Sequence, residues 1–295
     1  MATATLPVPP VPAVHFRNLL FATDFSEYSR QALPYATDLA RRFNSSVYLC
    51  HVVTPSQLVI GAPEAVPYLY EAQHQRGTQE LADIIQSAEL KGLKTKAILA
   101  SGLFEDEIAR VINENRIDLI VVGTHGRTGI RHMVLGSAAE RIRRIATCPV
   151  LSVGPNSVLN EKAAFRRILV PTDFSEESTQ VLPYVLDVAR KYQATVTFLH
   201  VIPLDAAVNI NARLLAEDAR RTLKKVFGKE CSEHKPQFLI EFGPPAEAIL
   251  RAAAETRADL IAMGIRHAFA PGIHLRSGIA YRIMAGASCP VLTCR

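Results

Sequence analysis

The stretch Phe16-Arg17-Asn18-Leu19-Leu20-Phe21-Ala22-Thr23-Asp24-Phe25-Ser26-Glu27 returns 149 residues later as Phe165-Arg166-Arg167-Ile168-Leu169-Val170-Pro171-Thr172-Asp173-Phe174-Ser175-Glu176. The agreement continues through Leu33-Pro34-Tyr35 and Leu182-Pro183-Tyr184, Asp38 and Asp187, and His51-Val52 and His200-Val201, with about half of the positions identical. Near the ends the halves match again as Cys148-Pro149-Val150 and Cys289-Pro290-Val291, now 141 residues apart, so the second half is eight residues shorter in between. A period this long far exceeds the roughly 20–50 residues of solenoid repeats, so each copy owns a core. The 295-residue chain is therefore expected to hold two domains, residues 15–154 and 164–295. Residues 155–163, in a stretch carrying Gly, Pro, Asn and Ser, read as the linker. The Pro- and Ala-rich residues 1–14 read as a disordered tail and not as a signal peptide.

Within each copy, short β-branched runs alternate with helical patterns. Strands are predicted at Asn18–Ala22, Ser46–Val53, Lys94–Ala100, Leu119–Val122 and Val150–Val153. Their counterparts are Ile168–Val170, Thr195–Ile202, Gln237–Glu241, Leu260–Met263 and Val291–Thr293. Helices are predicted at Ser26–Phe43, Tyr70–Leu93, Phe104–Glu114 and Ser137–Ala146. In the second half, Val208, Leu215, Ala219, Leu223, Val226 and Phe227 recur at spacings that place one apolar stripe on a helix. Strands that are apolar throughout indicate a parallel sheet covered by helices on both faces, an α/β doubly wound fold. In such sheets ligands bind beyond the carboxyl ends of the strands, so site residues are expected to follow strands.

Composition narrows the class. Hydrophobic residues make up 48% and charged residues 21% of the chain, which suits a folded globular protein. No segment approaches the roughly 20 apolar residues of a membrane span. The net charge of +5 is scattered, and the densest cluster, Arg141, Arg143 and Arg144, falls at an expected helix end, where cations complement the helix dipole; nucleic acid is not expected as a partner. Five cysteines without CxxC or zinc-type spacing suit a reducing, cytoplasmic setting. Those in apolar runs, Cys50, Cys148 and Cys289, read as passive buried thiols.

The motif that carries chemistry follows the fourth strand. It runs Val122-Gly123-Thr124-His125-Gly126, then Gly136-Ser137-Ala138-Ala139-Glu140 at a helix start, in the pattern G-x2-G-x9-G-S. Glycines at a strand end let a phosphate or ribose approach the backbone, and free N–H groups at a helix start attract anions. The other reading is that Ser137 and Glu140 form a capping box and that the glycines make turns. Asp24 likewise reads either as a ligand acceptor or as a cap on a helix starting at Ser26.

The Thr23-Asp24-Phe25-Ser26 strand end, the His51-Val52 strand end and the glycine run together resemble the universal stress protein domain, across nearly all of both halves. The resemblance implies a five-stranded parallel sheet in the order 3-2-1-4-5 in each domain. It also implies an ATP site in the first domain built from three strand ends. By position, Asp24, with Ala22 and Thr23 beside it, matches the acidic residue near adenine and ribose, and Val52 the residue lining the adenine. Val122, Gly123, His125, Gly126, Gly136, Ser137 and Ala138 match the ribose and phosphate loop. Mg2+ is expected only as a companion of the phosphates. The resemblance further implies pairing through the last strands, Cys148–Val153 and Cys289–Thr293, within the chain or in a homodimer.

The second half departs from the pattern. Asp173, Val201 and Gly264 are kept, but His267 stands where Gly126 does, and Ser277-Gly278 replaces Gly136-Ser137. No ATP, or much weaker binding, is expected there. P-loop, GxSxG and HExxH motifs are absent from the sequence. His51 and His200 read as structural hydrogen-bonding residues, and His125 as a solvated loop histidine. Three functions remain open: a nucleotide sensor whose glycine loop and Thr54–Pro67 segment respond to ATP, a slow ATPase, and an interaction module that binds no nucleotide.

Overall fold

A computed structural model describes residues 14–54, 66–124, 136–157, 165–203, 212–228, 231–265 and 278–295. All of the expected tail but Val14, most of the linker, His125, Gly126, Val208, His267, Ser277 and most of Thr54–Pro67 lie outside the described residues. The chain divides into two compact units, built on His15–Pro155 and on Ala164–Arg295.

The first unit runs β1 (Asn18–Ala22), α1 (Glu27–Arg30), α2 (Leu33–Phe43), β2 (Ser46–Val53), α3 (Val66–Gln86), β3 (Lys94–Ser101), α4 (Phe104–Glu114), β4 (Leu119–Gly123), α5 (Ser137–Ile145) and β5 (Val150–Val153). The second repeats the plan with β6 (Arg167–Pro171), α6 (Glu176–Thr179), α7 (Leu182–Tyr192), β7 (Thr195–Ile202), α8 (Ala212–Phe227), β8 (Gln237–Phe242), α9 (Pro245–Glu255), β9 (Leu260–Gly264), α10 (Ile279–Gly286) and β10 (Val291–Cys294). The strand order is β3-β2-β1-β4-β5 in the first unit and β8-β7-β6-β9-β10 in the second. Neighbouring strands are parallel, with Phe21 opposite Leu49 on β2 and opposite Val121 on β4. This is the doubly wound fold expected in each copy.

The central strand β1 is buried on both faces: Leu19, Leu20 and Phe21 are at most 1% exposed. That is why it reads as a continuous apolar run rather than an alternating one. Aromatic contacts close the amino-end side, Phe16 on Phe43 with centroids 5.0 Å apart and Phe165 on Tyr192 at 5.1 Å. In α8 the apolar stripe is formed by buried Ala219, Leu223 and Phe227, whereas Leu215 is exposed at its start.

Two helix expectations are corrected. The single helix predicted over Ser26–Phe43 is two, because Pro34 near the start of α2 brings no N–H to the preceding turn and its ring crowds the carbonyl four residues back. Pro183 does the same between α6 and α7. The helix predicted over Tyr70–Leu93 begins at Val66, since Pro67 is tolerated in a first turn. It gives way at Ser87 to a 3-10 turn at Ala88–Leu90, after which Gly92 adopts φ +81°.

Candidate functional site

The Thr-Asp-Phe-Ser segment that links β1 to α1 folds into a tight knot. Thr23 Oγ1 accepts the Phe25 N–H at 3.0 Å and lies 2.9 Å from Ser29 Oγ. Asp24 Oδ1 accepts the Ser26 N–H at 3.0 Å, and Ser26 Oγ accepts the Ser29 N–H at 3.1 Å, so Ser26, not Asp24, caps α1. These bonds hold Phe25 at φ 63°, a left-handed conformation unusual for an aromatic residue. His51 completes the knot: its Nδ1 lies 2.8 Å from the Thr23 carbonyl oxygen and its ring 4.3 Å from that of Phe25. The second unit reproduces it, with Phe174 at φ 64°, His200 Nδ1 2.9 Å from the Thr172 carbonyl oxygen, and Thr172 Oγ1 2.9 Å from Ser178 Oγ. The structural role read for both histidines is the role they have.

Above this knot in the first unit, at the carboxyl ends of β1, β2 and β4, lies a cleft of about 270 Å³. Ala22, Thr23 and Asp24 line it from β1, Val52 from β2, and Val122 with Gly123 from β4. Gly136, Ser137 and Ala138 line it from the start of α5. Of the eleven site residues read from the sequence, nine therefore meet in one place. The other two, His125 and Gly126, fall outside the described residues.

Helix α5 settles the capping alternative. Gly136 is its N-cap and Ser137 its first helical residue, and no side chain caps it, so the Ser137–Glu140 capping box does not form. The amides of Ser137, Ala138 and Ala139 therefore have no intrahelical acceptor, and the positive end of the helix dipole meets the cleft. Gly136 sits at φ −58°, ψ 142°, a conformation open to any residue, so glycine is not required there by the backbone. Half-buried Asp24 lines the same cleft from the end of β1. An elongated ligand with a neutral, hydrogen-bonding end and an anionic end is matched by this polarity.

Gly123 has a second role that sequence reasoning missed. A Cβ there would lie 2.8 Å from the Tyr28 carbonyl oxygen and 2.9 Å from the Ser29 Cα. The glycine lets α1 pack directly on the end of β4. Gly264 does the same beneath α6, where a Cβ would run into the Glu177 carbonyl oxygen. Its retention in the second copy follows from packing alone.

The sequence reading also missed Phe104 and Arg141, which line the cleft from α4 and α5. Arg143 and Arg144 lie in the last turn of α5 as expected, but Arg141 lies a turn earlier. Its guanidinium sits over the Phe104 ring, 4.5 Å from the centroid, and its Nε and Nη2 meet the two carboxylate oxygens of Glu105. That hydrogen-bonded pair holds the Glu105 carboxyl down to about 2. The floor includes Cys50, 1% exposed, whose thiol burial pushes up to about 12; burial does the same to Cys148 and Cys289. Protonated thiols of this kind are inert, as read from the sequence. Among the described residues no group of three or more His, Cys, Asp and Glu gathers to hold a metal ion. Nor is any helix among them long and apolar enough to cross a membrane.

In the second unit Asp173 is exposed, and its Oδ1 accepts both the N–H and the hydroxyl of Ser175, at 3.1 and 2.5 Å. The carboxylate is thus turned back on its own turn.

Comparison with known proteins agrees with this architecture. Universal stress protein MJ0531 of Methanocaldococcus jannaschii is 33% identical over 139 residues, 47% of this chain and 82% of that protein. Universal stress protein YxiE of Bacillus subtilis is 32% identical over 146 residues, 47% of this chain and 99% of that protein. A crystal structure of a universal stress protein from Archaeoglobus fulgidus covers 96% of this chain and 99% of its own, with a TM-score of 0.75 and 23% identity, a likeness of fold. The model of the universal stress protein family matches residues 15–154 and again 164–295, and the chain belongs to that family as a tandem member.

Proposed function

We propose that the first domain binds an adenine nucleotide, ATP, and acts as a sensor or regulator in a stress response, while the second binds none or far more weakly. The observation that carries this reading is that the uncapped start of α5 and Asp24 line one cleft. Phosphates would take the amides of Ser137, Ala138 and Ala139, and the ribose hydroxyls would donate to Asp24. Val52 and Ala22 would meet the base. A charged triphosphate is repelled by Asp24, which fixes which end of the nucleotide lies there. Mg2+ would arrive with the phosphates. Binding rather than hydrolysis is favoured because His51, the histidine lining the cleft, is held by Nδ1 to the Thr23 carbonyl oxygen as part of the turn, and His200 repeats that contact in the second domain.

The test is calorimetry of ATP with the full chain and with Gly136→Asp. The new carboxylate caps α5 and sets a negative charge where the phosphates would lie. One site in the wild type, weakened about tenfold or more in the variant, supports the reading. No heat with the wild type, and no nucleotide retained on purification, refutes it in favour of an interaction module. Phosphate release abolished by the same substitution would identify an ATPase. The proposal includes a cytoplasmic setting and assembly through the last strand of each domain, checked by fractionation and by the mass of the particle in solution.

A further inference from the structure

We propose that Phe104 and Arg141 form the stacking wall for the aromatic base of the ligand, with Arg141 serving as a flat surface and not as a phosphate ligand. This rests on the nucleotide reading above and assigns it residues outside the glycine motif. A guanidinium can offer a forked N–H edge or a planar face. In Arg141 the fork is spent on both oxygens of Glu105, a carboxylate that Arg144 also contacts at 3.2 Å. Its guanidinium carbon lies over the Phe104 ring at 4.5 Å from the centroid, and both side chains line the cleft. Ala22 and Val52, which line the same cleft, are aliphatic, so the cleft offers a base apolar contacts beside a cation–aromatic pair. The other ring lining the cleft, that of His51, is committed to the turn in both copies.

The second unit separates what helix packing needs from what the cleft needs. Arg282, the counterpart of Arg141, also reaches across to the neighbouring helix and pairs with Glu247 at 2.9 Å. Pro245 stands in the place of Phe104 at the start of its helix, and Ala246 in the place of Glu105. The helix–helix ion pair therefore recurs, whereas the ring and the two-oxygen grip belong to the copy that holds the intact glycine motif.

The experiment measures affinities of adenosine, AMP and ATP for the full chain as wild type, Phe104→Leu, Phe104→Tyr, Arg141→Lys and Arg282→Lys. Phe104→Leu and Arg141→Lys are expected to weaken all three ligands by the same factor, about fivefold or more. Phe104→Tyr, which keeps the ring, and Arg282→Lys, which alters only the counterpart pair, are expected to bind as wild type. A loss in Arg141→Lys that grows from adenosine to ATP would make it a phosphate ligand and overturn the proposal. So would unchanged affinities in Phe104→Leu. A wild-type chain that binds neither adenosine nor ATP would refute the nucleotide reading itself, a result distinct from either of these.

Discussion

Replacing Gly123 by alanine tests whether this glycine serves packing rather than the ligand. The added Cβ meets backbone atoms, the Tyr28 carbonyl oxygen at 2.8 Å and the Ser29 Cα at 2.9 Å, which cannot rotate away. Relief requires α1 to lift, and α1 is tied down by the Thr23–Ser29 hydroxyl pair and the Ser26 cap. Overpacking of this kind costs about 1–3 kcal/mol. With a urea m-value of about 2 kcal/mol/M, a cost of about 2 kcal/mol lowers the midpoint of the first domain by about 1 M. Hydrogen exchange resolved by peptide in urea follows each domain by itself, so no two-state assumption is placed on the whole chain. Gly264→Ala, whose Cβ would run into the Glu177 carbonyl oxygen, is expected to destabilise the second domain at least as much. Gly92→Ala is the reference: it sits at φ +81° with nothing within 4 Å, and costs only the left-handed backbone strain, about 1 kcal/mol. If Gly123→Ala, without nucleotide, costs no more than Gly92→Ala, the close-approach argument is wrong.

Further outcomes follow from other contacts. His51→Leu and His200→Leu each leave a buried-turn carbonyl without its partner and are expected to cost about 1–2 kcal/mol in their own domains, read from urea midpoints. Glu140→Ala is expected to leave the stability of α5 within about 0.5 kcal/mol, because no capping box exists to lose; a cost near that of a lost cap, about 1 kcal/mol, would contradict the observed helix start. Glu105 has its carboxyl held down to about 2, below the ordinary value of 4.5. Its contribution is therefore complete above that ordinary value and disappears as pH falls through the depressed one, so thermal melts of wild type and Glu105→Gln should converge on acidification. Cys50 and Cys289, buried with thiols pushed up to about 12, should resist iodoacetamide at pH 8 until the chain is unfolded, and rapid alkylation of either in the native protein would contradict that burial; Cys148, read from the sequence as buried, is only half-buried.

The strands were the most legible part of the fold, because β1, β4 and their counterparts bury both faces and so spell continuous apolar runs. Each predicted strand agrees with the observed one to within a residue at either end. Helix ends were less legible. The break between α1 and α2 hangs on one proline, which an amphipathic pattern reads through. Nine site residues were visible because they occupy strand ends or a glycine-marked helix start, positions that a linear motif records. Phe104 and Arg141 were not, since the two lie 37 residues apart on different helices and meet only through packing of α4 on α5. One signal was available in the repeat itself: Phe-Glu at 104–105 becomes Pro-Ala at 245–246 while the arginine at 141 is kept at 282.

The duplication separates the demands of folding from those of a ligand. The Thr-Asp-Phe-Ser knot, its histidine, and the glycine under the short helix persist in both copies, and in both they carry backbone strain or close approach that folding requires. Losing any of them would destabilise the domain whether or not it binds anything. Gly126 is different in kind: the second copy has His267 in its place and still forms the same sheet and the same final helix, which there too starts at a glycine, Gly278, with no side-chain cap. The sheet and the last helix therefore form without a glycine at that position. In the first copy the uncapped start of α5 and Asp24 line one cleft. A glycine start costs α5 and α10 only about a few tenths of a kcal/mol each relative to a Ser or Asp cap, so it is the exchange of Gly126 for His267, with that of Phe104 for Pro245, that distinguishes the two copies and on which the nucleotide reading of the first one rather than the second rests.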